Sequence, residues 1–522
     1  MGAEPRAVPR PRKPRPAIAR AGRRRRKEPA AAGPQVHPTG KPISVVHLTA
    51  EYWPLARTGG LGEAVNGLAT FQAIAGQPTV VVLPLYRVVR HTAHDLERVG
   101  PFSVTLGLRT EQAWLYRIPE TGDRPQIFLI EHPEYFDRDG IYGADDADYP
   151  DNARRFAFFC QAALTVLPQI APEAQVLHAH DWHTALAPVF LRRAFAGQPF
   201  YDRLAAVLSV HNAGFQGHFP PETMADLGIG PELYTSDVFE WYGRMNVLKG
   251  GLAFCDFAVT VSPTHARELC TPEGGFGLHQ MFIDLGDRLV GILNGIDPAA
   301  WNPATDAVIA APYSLDDLSG KDRCKAALQS ARGLPQEAGI PVFGMSARLV
   351  AQKGLDIVLG GDLLSMDDAQ FVFIGSGERR YERALAALAL AAPNRIAVEF
   401  NFTDRLEHRL LAGADALLMP SLYEPCGLTQ MRAQRYGAIP IARRVGGLAD
   451  SIADGVTGLL FDEYTPEGLM HAVQQAIDRY RDATAWRALI RKAMEQQFGW
   501  DNSAKRYLDV YRRALDLRQV SP

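Results

Sequence analysis

Short runs of aliphatic and β-branched residues alternate along this chain with stretches of helical period. Residues 43–48 (ISVVHL) form an apolar run of β-formers and predict a buried strand. Thr58-Gly59-Gly60-Leu61-Gly62 comes next, and Glu63-Ala64-Val65 opens a helical pattern. Strand, glycine turn and helix in that order predict the first unit of a parallel α/β sheet. Further buried strands are expected at 79–83, 126–130, 176–178, 205–210 and 257–261, with helices between them, among them 152–166 and 184–194. The pattern then restarts with a strand at 341–346. Strands at 371–374, 395–400, 416–419 and 439–442 continue it. The expected fold class is therefore α/β, with two Rossmann-like domains in tandem: 42–297, then 298–500, whose opening stretch 298–335 reads as a loop-rich linker. A long amphipathic helix is predicted at 502–517. Two such domains leave a cleft facing the carboxyl ends of both sets of strands, where ligands bind in open α/β sheets.

Composition narrows the picture. The chain has 522 residues, ordinary for two large domains, and a formal net charge of −3 that gives no sign of a nucleic-acid protein. Five cysteines, odd in number and without CxxC spacing, suggest neither a disulfide framework nor a structural zinc site, and a cytoplasmic protein is the plain reading. No apolar run reaches the roughly 18–20 residues of a membrane span, and the Ala/Leu tract 384–392 reads as a helix. Residues 1–41 differ from the rest. They are rich in Pro, Ala and Arg, carry the run Arg23-Arg24-Arg25-Arg26-Lys27 and lack the apolar segment of a signal peptide. A disordered tail is expected there, with a basic arm or a transit peptide as alternatives.

The candidate chemistry lies where strands end. Arg57 with Gly59 and Gly60 offers bare backbone N–H groups and a cation to a phosphate, or else forms a tight turn. His178-Ala179-His180-Asp181-Trp182-His183 offers a polar sugar-binding loop or a helix start capped by Asp181; its spacing is not that of a zinc site. His211-Asn212 are polar groups suited to sugar hydroxyls; Asn246 with Lys249 is a further polar pair ahead of a helix, its bland reading a solvated face. Arg348 and Lys353 are two cations between a strand and a helix, suited to a departing diphosphate. Glu424, with Gly427, Leu428 and Thr429, joins an acid to backbone amides at a helix start. Arg443 to Asp450 (RRVGGLAD) is a second glycine loop.

In order, TGGLGE, HAHDWH, HNAGFQG, LKGGLAFCD, TVSPTHARE, LNGID with Trp301, SARLVAQKGLD, YEPCGLTQ and RVGGLAD resemble the motifs of the bacterial glycogen synthase and plant starch synthase family, glycosyltransferase family 5. The resemblance runs from Ile43 to Tyr511. It implies the GT-B fold, two Rossmann-like domains with parallel sheets facing across a deep cleft, with the last helix packing back on the first domain. It implies transfer of glucose from ADP-glucose, or UDP-glucose in some members, to the non-reducing end of an α-1,4-glucan such as glycogen, with retention and without a metal or other cofactor. By motif, Arg348 and Lys353 should neutralise the diphosphate, Gly60 should contact it by backbone, and Gly427, Leu428 and Thr429 should cradle it. His211, Asn246 and Glu424 should hold the donor glucose, Asp181 should face the acceptor, and Phe402 should stack on the base.

Two positions and one motif depart from the family pattern. Arg57 stands for the usual Lys, Glu63 for Asp, and HNAGFQG for HNLAYQG. An Arg is longer and forked, so it does not simply replace Lys. Met431 occupies the place where many other retaining relatives carry a second Glu, as is usual in this family, so no enzymic nucleophile is expected on the sugar's far face. Rival readings are a GT-B enzyme with a small acceptor such as maltose or a sugar phosphate, a catalytically dead glucan-binding protein, and a sugar-nucleotide epimerase. Oligomeric state is left open.

Overall fold

The computed structural model describes residues 41–520, less 94, 120–121 and 145–146. The tail expected at 1–41 thus lies outside the described residues, Lys41 excepted.

The first sheet contains β1 (Val45–Leu48), β2 (Thr79–Pro84), β3 (Glu97–Leu106), β4 (Arg109–Ile118), β5 (Gln126–Glu131), β6 (Val176–His180), β7 (Ala205–Val210), β8 (Phe257–Thr260) and β9 (Leu289–Gly291). Their spatial order is β9-β8-β7-β6-β1-β2-β5-β4-β3. The strands from β9 to β5 run parallel, and those of them at the centre are buried along their whole length, as expected where helices cover both faces. The second sheet is parallel throughout: β10 (Val342–Ser346), β11 (Gln370–Ile374), β12 (Ile396–Glu399), β13 (Ala416–Met419), β14 (Ile439–Arg443) and β15 (Leu459–Phe461), ordered β12-β11-β10-β13-β14-β15. Each sheet has its own large core. Helices that bear on the site are α1 (Gly60–Ile74), α2 (Val247–Phe254), α3 (Pro263–Leu269), α4 (Ser319–Ala331), α5 (Asp404–Gly413), α6 (Thr429–Arg435), α7 (Gly446–Ser451) and α8 (Trp500–Val520).

Two features depart from the sequence reading. The first sheet ends in an antiparallel hairpin, β3 with β4, whose largely exposed strands lack the continuous apolar run of a buried strand and whose first strand is interrupted by Gly100-Pro101. The stretch 298–335 is not all loop: α4 lies within it and packs on α5 through Cys324 and Leu328.

The last helix returns to the first sheet. Trp500, Tyr507, Leu508 and Tyr511 bury themselves against Val45, Val176, Val207 and Val259. A side chain on Gly67 of α1 would collide with the Trp500 indole, so glycine is needed there. The chain therefore crosses between lobes twice, and the crossings touch: Ile296 N–H donates to the Phe498 carbonyl at 2.8 Å. Among the described residues no helix is long and apolar enough to cross a membrane.

Candidate active site

On the second lobe, charge collects at the carboxyl ends of β10 and β13. Lys353 Nζ donates to Glu424 Oε2 at 2.6 Å, and Ser421 Oγ donates to the same oxygen at 3.0 Å. Glu424 is nearly buried, with 8% of its side chain exposed, so Lys353 supplies the charge that makes its ionised form tolerable there. Arg348 is exposed, and its guanidinium has no ion pair or hydrogen bond among the described residues. Gly427 sits at φ +70°, where glycine is favoured. Buried Gln430 donates to the Cys426 and Gly427 carbonyls, both at 2.9 Å, and so fixes the turn. The N–H groups of Leu428 and Thr429 then open α6 without a protein acceptor among the described residues. Phe402, 42% exposed, follows β12 at the same end of the sheet.

Facing this on the first lobe is the turn that starts α1. Around Gly59 and Gly60 there is open space where side chains would be, so the turn presents bare backbone. Its shape is set by Glu51, a residue the sequence reading passed over. The Glu51 carboxylate accepts from Thr58 N–H at 2.8 Å, Thr58 Oγ1 at 2.8 Å, Gly59 N–H at 3.2 Å and Tyr142 Oη at 2.6 Å. Its signal was an acid just beyond a strand's carboxyl end.

Arg57 is engaged elsewhere. It donates to Glu63 at 2.6 Å, pairs with Asp404 of the second lobe, and lies 4.0 Å from the centroid of the Trp53 ring. Glu63 also pairs with Arg432, which in turn meets Glu407 at 3.2 Å. The two charged departures from the family pattern, Arg57 and Glu63, thus belong to one ion network spanning the lobes. Other ties run beside the crossings. Thr264 donates to Asp450 through its N–H (2.7 Å) and Oγ1 (2.6 Å), Gly446 N–H donates to Glu268 at 2.8 Å, and Ser262 Oγ donates to the Pro425 carbonyl at 2.7 Å. The second glycine loop, 443–450, is thus tied to the first lobe through Gly446 and Asp450. Side chains on Gly446 and Gly447 would run into the Glu424 and Cys426 carbonyls, so these glycines let α7 pack on the Glu424 turn.

The first lobe's wall is made of buried polar groups. Asp181, at the end of β6, holds φ +57°, a strained value for a non-glycine residue. Its carboxylate does not cap the following turn, contrary to one sequence reading; it accepts from His211 N–H at 2.6 Å. Burial raises its pKa to about 7, against the opposing effect of the His211 and Asn212 N–H groups. Asn246 is not on a solvated face. It caps α2 through Lys249 N–H at 3.0 Å, and its amide donates to Gln216 Oε1 at 2.6 Å and lies 3.1 Å from His218 Nε2. Lys249 is buried too, donating to the Ser236 and Glu240 carbonyls.

Behind His211 runs a file of histidines. His211 Nε2 lies 3.1 Å from His180 Nδ1, His180 Nε2 lies 3.0 Å from His47 Nδ1, and His47 Nε2 lies 2.8 Å from Gln72 Oε1. Beside it, His178 contacts Tyr511 Oη at 2.8 Å and Ser209 Oγ at 2.7 Å. Burial lowers these rings to about 4 for His47, about 3 for His211, and well below the ordinary range for His178 and His180. His47, His178 and His180 are close enough to surround an ion. Each of their nitrogens already has a hydrogen-bond partner, however, so the cluster reads as a network of neutral rings.

Residues 44–284 match the starch synthase catalytic domain family and residues 331–493 match glycosyl transferases group 1. A glycogen synthase of Syntrophotalea carbinolica is 40% identical over 92% of this chain and its own whole length. The chain belongs to the glycogen synthase and starch synthase family. A second relative in that family, glycogen synthase 2 of Geobacter sulfurreducens, is 39% identical over 91% of this chain and 100% of its own. Among solved structures, the catalytic domain of starch synthase IV from Arabidopsis thaliana, bound to ADP and acarbose, superposes with a TM-score of 0.84. It is 31% identical and covers 91% of this chain and 100% of that one. Sucrose-phosphate synthase from Thermosynechococcus elongatus, 15% identical with a TM-score of 0.58, shares the fold alone. Both lobes are thus those of a GT-B glycosyltransferase.

Proposed function

We propose that this chain transfers glucose from ADP-glucose to the non-reducing end of an α-1,4-glucan such as glycogen, with retention at the anomeric carbon. The observation that carries the reading is Arg348, without a hydrogen-bond or ion-pair partner among the described residues, beside the Lys353–Glu424 pair and opposite the bare backbone of Gly59 and Gly60. Cations and free amides on both sides suit a diphosphate, and a carboxylate between them suits a hydroxyl-bearing sugar. The relatives' names, glycogen synthase, and the ADP bound to the Arabidopsis protein support the donor and acceptor classes.

In the reaction the bond between the glucosyl carbon and the diphosphate oxygen breaks, and the diphosphate keeps the electron pair. Arg348 and Lys353 stabilise the charge that develops, while Gly60, Gly427, Leu428 and Thr429 hold the diphosphate by backbone N–H groups. Glu424 accepts from a glucose hydroxyl and shares Lys353 with the phosphate. The acceptor's 4-hydroxyl attacks from the side the diphosphate leaves, and its proton passes to a diphosphate oxygen. Met431, buried in α6, offers no nucleophile for a two-step route. His211 faces the donor glucose. Asn246 backs that wall, and a sugar hydroxyl would share its amide with Gln216 and His218. Asp181 faces the acceptor, and Phe402 stacks on the base. Arg57 binds the donor phosphate by exchanging its partner Asp404, so donor binding and the inter-lobe tie compete. The donor set described needs no metal, since the charge is met by side chains.

Incubation with ADP- and UDP-[14C]glucose and glycogen tests the reading. Label in glycogen, greater from the ADP donor and α-linked by NMR, is expected. Transfer only to maltose or a sugar phosphate would overturn it in favour of a small-acceptor enzyme.

A further inference from the structure

The histidine file leads from the cleft to a residue with no access to it. Gln72, on the inner face of α1, is fully buried, as is Tyr511 of α8. Its carboxamide is held at both ends: Nε2 donates to Tyr511 Oη at 3.0 Å, and Oε1 lies 2.8 Å from His47 Nε2. A carbonyl oxygen only accepts, so His47 bears its proton on Nε2 and presents Nδ1 as an acceptor. His180 Nε2–H then donates to His47 Nδ1, and His211 Nε2–H donates to His180 Nδ1. Each neutral ring carries one proton, so fixing the first fixes the third. What remains at the cleft is the lone pair on His211 Nδ1, for which no protein donor exists among the described residues.

The opposite sense would reverse every bond. It would match the weak donor of an amide to imidazole, and the weak acceptor of a phenol to an imidazole N–H. The arrangement present matches strong to strong: phenol O–H to the Nδ1 of His178, and imidazole N–H to a carboxamide oxygen.

We propose that Gln72, acting through His47 and His180 and held by Tyr511, is a positioning residue that sets the tautomer of His211, so that His211 meets the donor sugar as a hydrogen-bond acceptor through Nδ1. This rests on the reading above that His211 faces the donor glucose. The relay itself does not, and the two are separable by experiment.

The full chain labelled with 15N-histidine gives the tautomer directly from two-bond 1H–15N correlations without ligand, with the His211 signal identified by its loss in His211→Gln. The expected wild-type result is a proton on Nε2 of His47, His180 and His211. Gln72→Met keeps the bulk and removes the acceptor, and should mix in the Nδ1–H form of His211. Gln72→Glu restores an acceptor and should restore the wild-type tautomer. Tyr511→Phe, which removes one hydroxyl, should give the same shift to a smaller extent if the Met variant folds poorly. With ADP-glucose and glycogen, kcat/KM for donor should fall roughly five- to tenfold in Gln72→Met, the scale of one hydrogen bond, and recover in Gln72→Glu. A proton on His211 Nδ1 in the wild type, or wild-type tautomers in both Gln72→Met and Tyr511→Phe, would overturn the relay. A flipped tautomer with wild-type kinetics would overturn the acceptor role. Absence of any glucosyl transfer by the wild type would overturn the proposed function and leave the NMR result standing.

Discussion

The two walls of the cleft solve recognition in opposite ways. The second lobe uses formal charge held in loops: Arg348 without a hydrogen-bond or ion-pair partner among the described residues, Lys353 paired with Glu424 at 2.6 Å. The first lobe uses neutral groups held by other neutral groups: His211 on His180, His180 on His47, His47 on Gln72. The difference teaches what each wall can discriminate. In the proposed reaction, charge responds to the diphosphate and to its departure, whereas the proposed lone pair of His211 responds to the direction of one hydroxyl.

The largest effects should come from the charged wall. Glu424→Gln is expected to lower kcat by about 10²–10⁴, the scale of a misplaced reactant. Azide should not rescue it, because no far-face nucleophile is missing; a β-glucosyl azide product would contradict the front-face route. Arg348→Ala and Lys353→Ala should each lower kcat by about 10²–10³. They should part company in stability: Lys353→Ala leaves Glu424 nearly buried and unpaired and should cost about 3–5 kcal/mol, whereas Arg348→Ala should leave Tm unchanged. Equal melting curves would show that the Lys353–Glu424 pair does not hold the turn.

The neutral wall should reveal itself in pH. His47 and His211 titrate near 4 and 3 when folded and near 6.5 when unfolded. Between 6.5 and about 4 the unfolded chain binds more protons, so stability is lost as pH falls through that window. Asp181, raised to about 7, acts in the opposite sense, losing stability as pH rises from about 4 to 7. Urea midpoints should therefore drop from pH 6.5 to 4.5, and drop more steeply in Asp181→Asn. A flat profile would mean the rings are not held neutral.

The smallest effect belongs to the tie between the walls. Arg57 and Asp404 are partly exposed, with 25% and 39% of their side chains accessible, so Asp404→Asn should change stability by less than about 1 kcal/mol. If the tie competes with donor phosphate, the same variant should lower donor KM a few-fold at low salt and less at high salt. An unchanged KM at both salt levels would remove Arg57 from the competition.

The charged wall was legible in the sequence because its parts are consecutive. Arg348 and Lys353 share one loop, and Glu424 to Thr429 share another, each following an unmistakable apolar strand. The parallel strands were legible as continuous apolar runs, while the 97–118 hairpin, largely exposed and broken by Gly100-Pro101, was not. The neutral wall was legible only at its surface. His211 and Asp181 stood out, but Gln72 and Tyr511, 439 residues apart, look like any polar position on an amphipathic helix. Glu51 was missed because a lone acid after a strand carries no spacing. Of the two readings of Asp181, sugar-binding loop or helix cap, the cap suits its sequence position but fails, because the carboxylate accepts from His211 N–H instead.

The return of α8 to the first sheet also has a consequence for biosynthesis. The last strand of that sheet ends at Gly291, and the helix that covers Val45, Val176, Val207 and Val259 begins at Trp500. At about 5–20 residues per second, a ribosome takes roughly 10–40 s to deliver the intervening chain. Throughout that interval the nascent first lobe shows an aliphatic face, and Gln72 lacks the tyrosine that orients it. The hydrogen-bond file from Tyr511 through Gln72 to His211 can close only after Tyr511 itself has been made.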